Sequence, residues 1–292
     1  MLASQGDRNK WKPNDPLALD GPRLGPVNAA IDENHLDESP RGLTIMAVVG
    51  VFVGILSGMF GIGGGTIIVP ALVWLGLTQR HAAATSMMAI VPTAISGVIS
   101  YAVEGNVDWI AAALVFAGMF VGGQIGSWLL SKLPEIALRW AFVAFLVFVI
   151  ANQAMSNPSR DSHIEMHPIM VVGLIAFGVI AGVLAGLLGI GGGAICVPAL
   201  SIIFGASDLI ARGTSLLAMF PNSITTSVAN VRRRMVHVKA AVIIGVVAAI
   251  TAPLGTWIAG AVTPRTGAIL FTVYLSVLLV RSLFVAIKAV RR

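Results

Sequence analysis

The stretch Gly61-Ile-Gly-Gly-Gly65 interrupts a long apolar segment, and the chain repeats it as Gly189-Ile-Gly-Gly-Gly193. Each copy follows a Gly-x-x-x-Gly spacing and is followed five residues later by a proline, Pro70 or Pro198. Glycine weakens a helix, so four glycines within five positions predict a break between two helices. In a membrane, a broken helix is tolerated only where protein buries it or where it lines a cavity.

The composition is typical of an integral membrane protein. Hydrophobic residues make up 57% of the 292 residues and charged residues only 11%, whereas soluble domains carry about 25% charged residues. The formal net charge of +6 indicates cytoplasmic loops rich in Lys and Arg rather than nucleic-acid binding. The single cysteine, Cys196, excludes a disulfide framework within the chain and is interpreted as a small buried hydrophobe.

Four regions follow from the distribution of apolar and polar residues. Residues 1–41 are rich in proline and acids and predict a disordered cytoplasmic tail. Residues 42–154 form a first repeat, 155–167 a polar linker and 168–292 a second repeat. The apolar runs lie at 43–60, 62–77, 82–103, 109–131, 136–153, 168–188, 190–205, 211–230, 240–261 and 266–287. The prediction is an all-α membrane protein with about ten transmembrane segments.

The duplication extends beyond the glycines. The segment from Thr85-Ser86 to Pro92 matches the segment from Thr214-Ser215 to Pro221. Five runs per repeat is an odd number, so the two repeats are expected to be inverted relative to each other. With ten crossings and both termini in the cytoplasm, nearly all Lys and Arg residues fall on the cytoplasmic side, as the positive-inside rule requires. The exceptions would be Arg160, Arg212 and Arg265.

The glycine motifs are the candidate substrate site. Their backbone N–H groups would lie unpaired at the N-termini of the second and seventh runs, where the helix dipole is positive, and two such ends would bind an anion. The alternative is that the glycines only allow close helix packing, which fits Gly54-x-x-x-Gly58 and Gly182-x-x-x-Gly186 well. Hydroxyl and amide groups in the third and eighth runs complete the site. The candidate substrate-binding residues are Gly63, Gly64, Gly65, Thr66, Thr85, Ser86, Gly191, Gly192, Gly193, Thr214, Ser215 and Asn222.

Other kinds of chemistry find little support in the sequence. The acids after residue 41 all fall at breaks between runs, which disfavours a cation pump or a carboxylate proton relay. No metal cluster and no nucleophile–base pair is found at membrane level, so we expect no catalytic residue, no metal, no cofactor and no enzymatic activity. A channel-like, non-coupled anion pathway remains the alternative to a coupled transporter.

The duplicated Gly-x-x-x-Gly-x-x-Gly-x-Gly-Gly-Gly-x-x-x-x-Pro-x-Leu, followed by Ala-Thr-Ser, resembles the sulfite exporter TauE/SafE family of membrane permeases over about 43–288. The resemblance implies a multi-pass transporter of the cell inner membrane for sulfite, organosulfonates or related anions, with a permease for another small organic anion as the alternative. It implies a small anionic substrate and membrane lipids as partners, and leaves a homo-oligomer open. The second copy departs from the pattern, with Arg212-Gly213 before Thr214.

Overall fold

The computed structural model describes residues 36, 39–154, 164 and 167–290, and all secondary structure within them is helical. Most of the proposed tail and linker therefore lies outside the described residues. The helices are α1 Pro40–Phe60, α2 Gly65–Trp74, α3 Gln79–Val103, α4 Trp109–Lys132, α5 Glu135–Ala154, α6 Pro168–Leu188, α7 Gly193–Ile202, α8 Asp208–Arg232, α9 Val238–Ala261 and α10 Pro264–Val290. The prediction of an all-α protein is confirmed.

Helix lengths repeat along the chain. The helices α1 to α4 have 21, 10, 25 and 24 residues, and α6 to α9 have the same four lengths in the same order. Both breaks arise in the same way, because Gly61 and Gly189 end α1 and α6 in the left-handed conformation, with φ of 69° and 70°. This conformation carries no steric penalty for glycine. The predicted breaks in the helices are confirmed.

Six of the described helices, α1, α3, α4, α6, α9 and α10, are long and apolar enough to cross a membrane. The helices α2 and α7 are apolar but contain only ten residues each, or about 15 Å of helix. A single ten-residue helix cannot cross a hydrocarbon core of about 30 Å. Helix α8 has 25 residues but is more polar than the six candidates, and many of its polar side chains are buried.

The two halves interlock through their glycine-rich faces. In α1, a Cβ added at Gly54 or Gly58 would run into the backbone of Ala248 or Ala252 in α9. In α6, a Cβ at Gly182 would lie 2.6 Å from the Met119 carbonyl oxygen, and one at Gly186 would lie 2.6 Å from the carbonyl oxygen of Gly123 in α4. The first helix of each half therefore packs tightly on the fourth helix of the other half. This confirms the packing role expected for both Gly-x-x-x-Gly spacings.

Helices α3 and α8 form the centre of the bundle and run between the α1–α9 pair and the α4–α6 pair. The hydroxyl of Ser96 in α3 donates to the Ala249 carbonyl of α9, and Ser127 of α4 donates to Asn230 of α8. The central pair thus contacts both halves. This arrangement brings the two glycine motifs and the polar residues of α3 and α8 to the middle of the molecule.

Candidate functional site

The two glycine motifs cross each other in direct backbone contact. A Cβ at Gly65 would lie 2.5 Å from Ile190 Cα and 2.6 Å from the Gly189 carbonyl oxygen. Reciprocally, a Cβ at Gly193 would lie 2.6 Å from Ile62 Cα and 2.7 Å from the Gly61 carbonyl oxygen. We call this region, residues 61–65 and 189–193, the glycine crossing. It brings the N-termini of α2 and α7 together, as the sequence predicts.

The N-terminal amides at the crossing have no backbone acceptor. In α2, the Gly64 carbonyl accepts from Ile67 and Ile68, and in α7 the Gly192 carbonyl accepts from Ile195 and Cys196. The backbone N–H groups that precede these donors, those of Gly65 and Thr66 in α2 and of Gly193 and Ala194 in α7, make no backbone hydrogen bond within the described part of the chain. A helix leaves its first N–H groups unpaired in this way, and they favour an anion. All residues of the crossing are buried.

Two side chains close the crossing in this conformation. A Cβ at Gly63 would overlap the Met219 methyl carbon, and one at Gly191 would lie 2.7 Å from it. Ile90 of α3 approaches the same two glycines, at 3.2 Å and 3.0 Å from the added carbons. Ile90 and Met219 are equivalent residues of the two repeats. They fill the space directly in front of Gly63 and Gly191.

The middle glycines of the motifs point elsewhere. Gly64 faces Val53 of α1, and a Cβ at Gly192 would lie 2.7 Å from the Met119 methyl carbon of α4. Both residues adopt positive φ angles, 84° and 97°, as the N-caps of α2 and α7. Thr66, the second residue of α2, accepts a hydrogen bond of 2.9 Å from the Tyr274 hydroxyl of α10. Gly64 and Gly192 therefore belong to the crossing without facing its centre, and Thr66 lies beside it.

The paired Thr-Ser residues connect one half to the other. Ser86 donates to the Gly189 carbonyl at 2.7 Å, and Ser215 donates to the Gly61 carbonyl at 3.2 Å. Both serines therefore lie at the glycine crossing. Thr85 accepts from the His237 N–H and Thr214 from the Asp108 N–H, each at 2.9 Å. The threonines support the starts of α9 and α4 rather than the crossing.

Replacing Thr85 or Thr214 by valine is expected to reduce the stability of the fold. Each change leaves a backbone N–H of the opposite half without its acceptor, which costs about 1–3 kcal/mol when the group is buried. Thermal unfolding in detergent measures the effect as a lower Tm. The matched control is Thr272→Val, because that hydroxyl only donates to the Ala268 carbonyl of its own helix. Equal Tm values for all three variants would contradict this role.

Among the candidate substrate-binding residues, Asn222 has a side-chain amide that lacks hydrogen-bond partners in the described structure. It is fully buried in α8, and neither its side-chain nitrogen nor its oxygen has a hydrogen-bond partner among the described residues. The Thr226 hydroxyl, one turn further, is buried and equally unpartnered. Buried polar groups are normally paired, so such groups need an explanation of their own. Asn222 lies one turn from Met219 and therefore next to the glycine crossing.

Arg212 is a buried charged residue that the sequence analysis counted only among the positive charges on the outer side of the membrane. Because Ser207 caps α8 and the helix begins at Asp208, Arg212 lies inside the first turns of α8 and is 6% exposed. Its guanidinium lies 3.3 Å from the Asp208 carboxylate and donates to the Met59 carbonyl at 2.7 Å. The signal was present in the departure from the repeat, because Arg212 stands where the first copy has Ala83.

Comparisons with known proteins identify the class. The family model for the sulfite exporter TauE/SafE matches residues 174–291. A probable membrane transporter protein of Bacillus subtilis, YunE, is 27% identical over 210 residues, covering 64% of this chain and 77% of that protein. A second one from this bacterium, YdhB, is 35% identical over 125 residues, covering 42% and 49%.

A further relative extends the comparison to another bacterium. A probable membrane transporter protein of Xylella fastidiosa is 29% identical over 204 residues, covering 68% of this chain and 77% of that protein. No solved structure matches the chain. The relatives share the description of membrane transporters, in agreement with the apolar helices and the central broken segments.

Proposed function

We propose that this chain, whose residues 174–291 match the sulfite exporter TauE/SafE family model and whose relatives are described as probable membrane transporters, is a secondary transporter for small anions of the sulfite or organosulfonate type. The anion would bind at the glycine crossing once Ile90 and Met219 withdraw. The proposed binding set is Gly63, Gly64, Gly65, Thr66, Thr85, Ser86, Gly191, Gly192, Gly193, Thr214, Ser215 and Asn222. Gly63, Gly191 and the two serines are nearest to the centre, and Thr85 and Thr214 would act by holding the halves together.

One observation carries the proposal. Two helix N-termini with unpaired amides meet in the buried centre of an apolar bundle. Each N-terminus carries a partial positive charge of about half an elementary charge, and several N–H donors point out of it. An oxyanion satisfies those donors without any buried lysine. A cation at the same point would face donors and positive dipole ends, so the crossing favours anions.

The topology that we propose is an inverted 5+5 repeat with ten crossings and both termini cytoplasmic. Gly61 contacts Arg212 near the start of α8, whereas Gly65 contacts Gly189, which in turn contacts Ala83 near the start of α3. In this scheme α3 and α8 are antiparallel, so their starts lie at opposite ends of the bundle. Residues 61–65 therefore run from the start of α8 toward the middle of that helix. The unwound residues and the ten helical residues of α2 would together complete one crossing.

The same topology makes the outer helices face lipid. Large apolar side chains such as Phe52, Ile250 and Val273 are 59%, 73% and 57% exposed in the isolated chain. A bilayer would cover them at no cost, because lipid chains are as apolar as these side chains. We therefore propose the cell inner membrane as the location and membrane lipids as the immediate surroundings.

The test is uptake by the purified protein in proteoliposomes. We expect saturable uptake of labelled sulfite or methanesulfonate, faster by about tenfold than uptake of acetate, since one well-placed hydrogen-bonding difference is worth about that factor. Protein-free vesicles are the control. Dependence of the flux on an imposed proton or sodium gradient distinguishes a coupled transporter from a channel-like pathway. Absence of saturable flux for both sulfur anions would contradict the proposal.

A further inference from the structure

Helix α8 carries a row of polar side chains that leads away from the glycine crossing. Asn222, Thr226, Asn230 and Arg233 follow one another at spacings of four, four and three residues, so they share one face of the helix. We call these four residues the α8 polar face. It begins one turn beyond Met219 and extends over about 16 Å of helix. Its first three members are fully buried, while Arg233 is partly exposed at the end of the bundle.

Hydrogen bonding along the α8 polar face is incomplete in its buried part. The Arg233 guanidinium donates to the Ser127 hydroxyl at 2.6 Å, and Ser127 donates to the side-chain oxygen of Asn230 at 2.6 Å. Further inward, the nitrogen of Asn230, the hydroxyl of Thr226 and the amide of Asn222 have no partner in the described residues. Buried polar groups inside a membrane protein are costly and mark substrate pathways.

Helix α4 packs closely against the side chains of Asn222 and Thr226. A Cβ at Gly123 of α4 would collide with the Asn222 oxygen and lie 2.9 Å from the Thr226 hydroxyl. The two side chains therefore point toward α4, in the first half of the chain, and their unmet donors and acceptors lie at the interface between the halves. An interface of this kind can open when one half moves against the other.

The first repeat has no such face. The equivalent residues of α3 are Thr93, Gly97, Tyr101 and, just beyond the helix, Glu104. Thr93 donates to the Ala89 carbonyl of its own helix, and Tyr101 donates to the Gly58 carbonyl at 2.7 Å. Both hydrogen-bonding side chains at these equivalent positions of α3 are thus satisfied, and the charged residue that follows them, Glu104, is an acid. Of the two equivalent faces in the described residues, the α8 polar face is the one that combines buried polar groups without a partner and a terminal arginine.

We propose that the α8 polar face is the route by which the anion reaches the glycine crossing from the end of the bundle that carries Arg233, with Met219 as the barrier at its inner end. The inference rests on the proposed function and adds a path to it. The chemistry suits a small oxyanion, because an arginine stands at the entrance and amide and hydroxyl donors follow. No carboxylate belongs to the α8 polar face.

Thiol labelling tests the route without requiring transport. The only cysteine, Cys196, is fully buried, so the wild-type chain serves as background. Thr226→Cys and Thr93→Cys form a matched pair, because both threonines are fully buried in the central helices. In proteoliposomes, a sulfonate-bearing methanethiosulfonate reagent should modify Thr226→Cys about tenfold faster than Thr93→Cys, the smallest gain that a charge-lined path provides. The sulfonate-bearing reagent should also modify Thr226→Cys faster than the trimethylammonium-bearing reagent does. Added methanesulfonate should slow this modification.

Two results would overturn the proposal. One is labelling of Thr226→Cys that is no faster than that of Thr93→Cys, and the other is preference for the cationic reagent. Labelling as expected without any uptake by the wild-type protein would reject the proposed transport function and leave the anion route intact. Arg233→Gln in the Thr226→Cys background should reduce the preference for the anionic reagent, because it removes the charge at the entrance.

A second variant gives an answer even if Thr226→Cys does not fold. Asn222→Asp keeps the size of the side chain but adds a negative charge beside the crossing, so the KM for sulfite or methanesulfonate should rise by about tenfold or more. Thr93→Val, at the equivalent position of α3, should leave the KM unchanged. Because Asn222 belongs to the proposed binding set as well as to the α8 polar face, an unchanged KM in Asn222→Asp would contradict both proposals, whereas the labelling of Thr226→Cys tests the route alone.

Discussion

Gly65→Ala is expected to abolish transport and to lower the yield of folded protein, because its new methyl group would occupy the place of another backbone. The added carbon would lie 2.5 Å from Ile190 Cα and 2.6 Å from the Gly189 carbonyl oxygen. Overpacking against side chains costs about 1–3 kcal/mol, since side chains can shift. Here the obstacle is the main chain of the second motif, so we expect the upper end of that range or more.

Gly193→Ala should have the same effect for the reciprocal reason, since its methyl group would meet Ile62 and the Gly61 carbonyl. The control is Gly260→Ala in α9, where no atom from the surrounding described structure, apart from the adjoining residues of its own helix, lies within 4 Å of the added carbon. That change should be neutral or raise the Tm slightly, because alanine restricts the unfolded chain. Size-exclusion profile, Tm in detergent and sulfite uptake measure the three variants. A normal Tm for Gly65→Ala would mean that the two motifs are not in contact in the membrane.

Gly54→Ala is unsuitable as a neutral control, although its residue lies outside the glycine crossing. The added carbon would collide with the Thr251 hydroxyl and the Ala248 carbonyl of α9. Loss of activity in this variant would report the packing of α1 on α9 rather than an effect on the ligand.

Arg212→Gln is the second change with a large expected effect. It leaves the Asp208 carboxylate, 3% exposed, without the guanidinium that lies 3.3 Å away. Removing one partner of a buried ion pair costs about 3–5 kcal/mol. The change also removes the hydrogen bond from Arg212 to the Met59 carbonyl, which ties the start of α8 to the end of α1.

The double variant Asp208→Asn/Arg212→Gln separates the two contributions. It carries no uncompensated buried charge, so we expect it to recover part of the Tm lost in Arg212→Gln. Arg265→Gln is the matched surface control, because Arg265 is exposed near the start of α10, and surface changes usually stay within about 0.5 kcal/mol. If the double variant is no more stable than Arg212→Gln, the hydrogen bond to Met59 rather than the ion pair accounts for the loss.

The sequence predicted the features that depend on local backbone preferences and on length. The breaks at Gly61 and Gly189 follow from glycine, which alone adopts the left-handed conformation without penalty. The repeated Gly and Pro positions predicted two homologous halves, and the first helices of the two halves, α1 and α6, have the same length of 21 residues although most of their residues differ. The convergence of two helix N-termini was also predicted, because a buried break must contact protein or line a cavity.

Only the tertiary structure decided which polar groups have partners. Thr85 and Thr214 bond to the starts of α9 and α4, whereas Asn222 and Thr226 are buried without a hydrogen-bond partner in the part of the chain that the structure describes. No local sequence pattern separates these two pairs. The sequence placed Arg212 at the start of the eighth run, but only the structure shows that its guanidinium pairs with Asp208 and donates to the Met59 carbonyl. The physical reason is distance along the chain. Backbone preferences act over a few residues, but the backbone groups that bond to the side chains of Ser86, Thr85 and Arg212 lie more than 100 residues away and are set by how the two halves interlock.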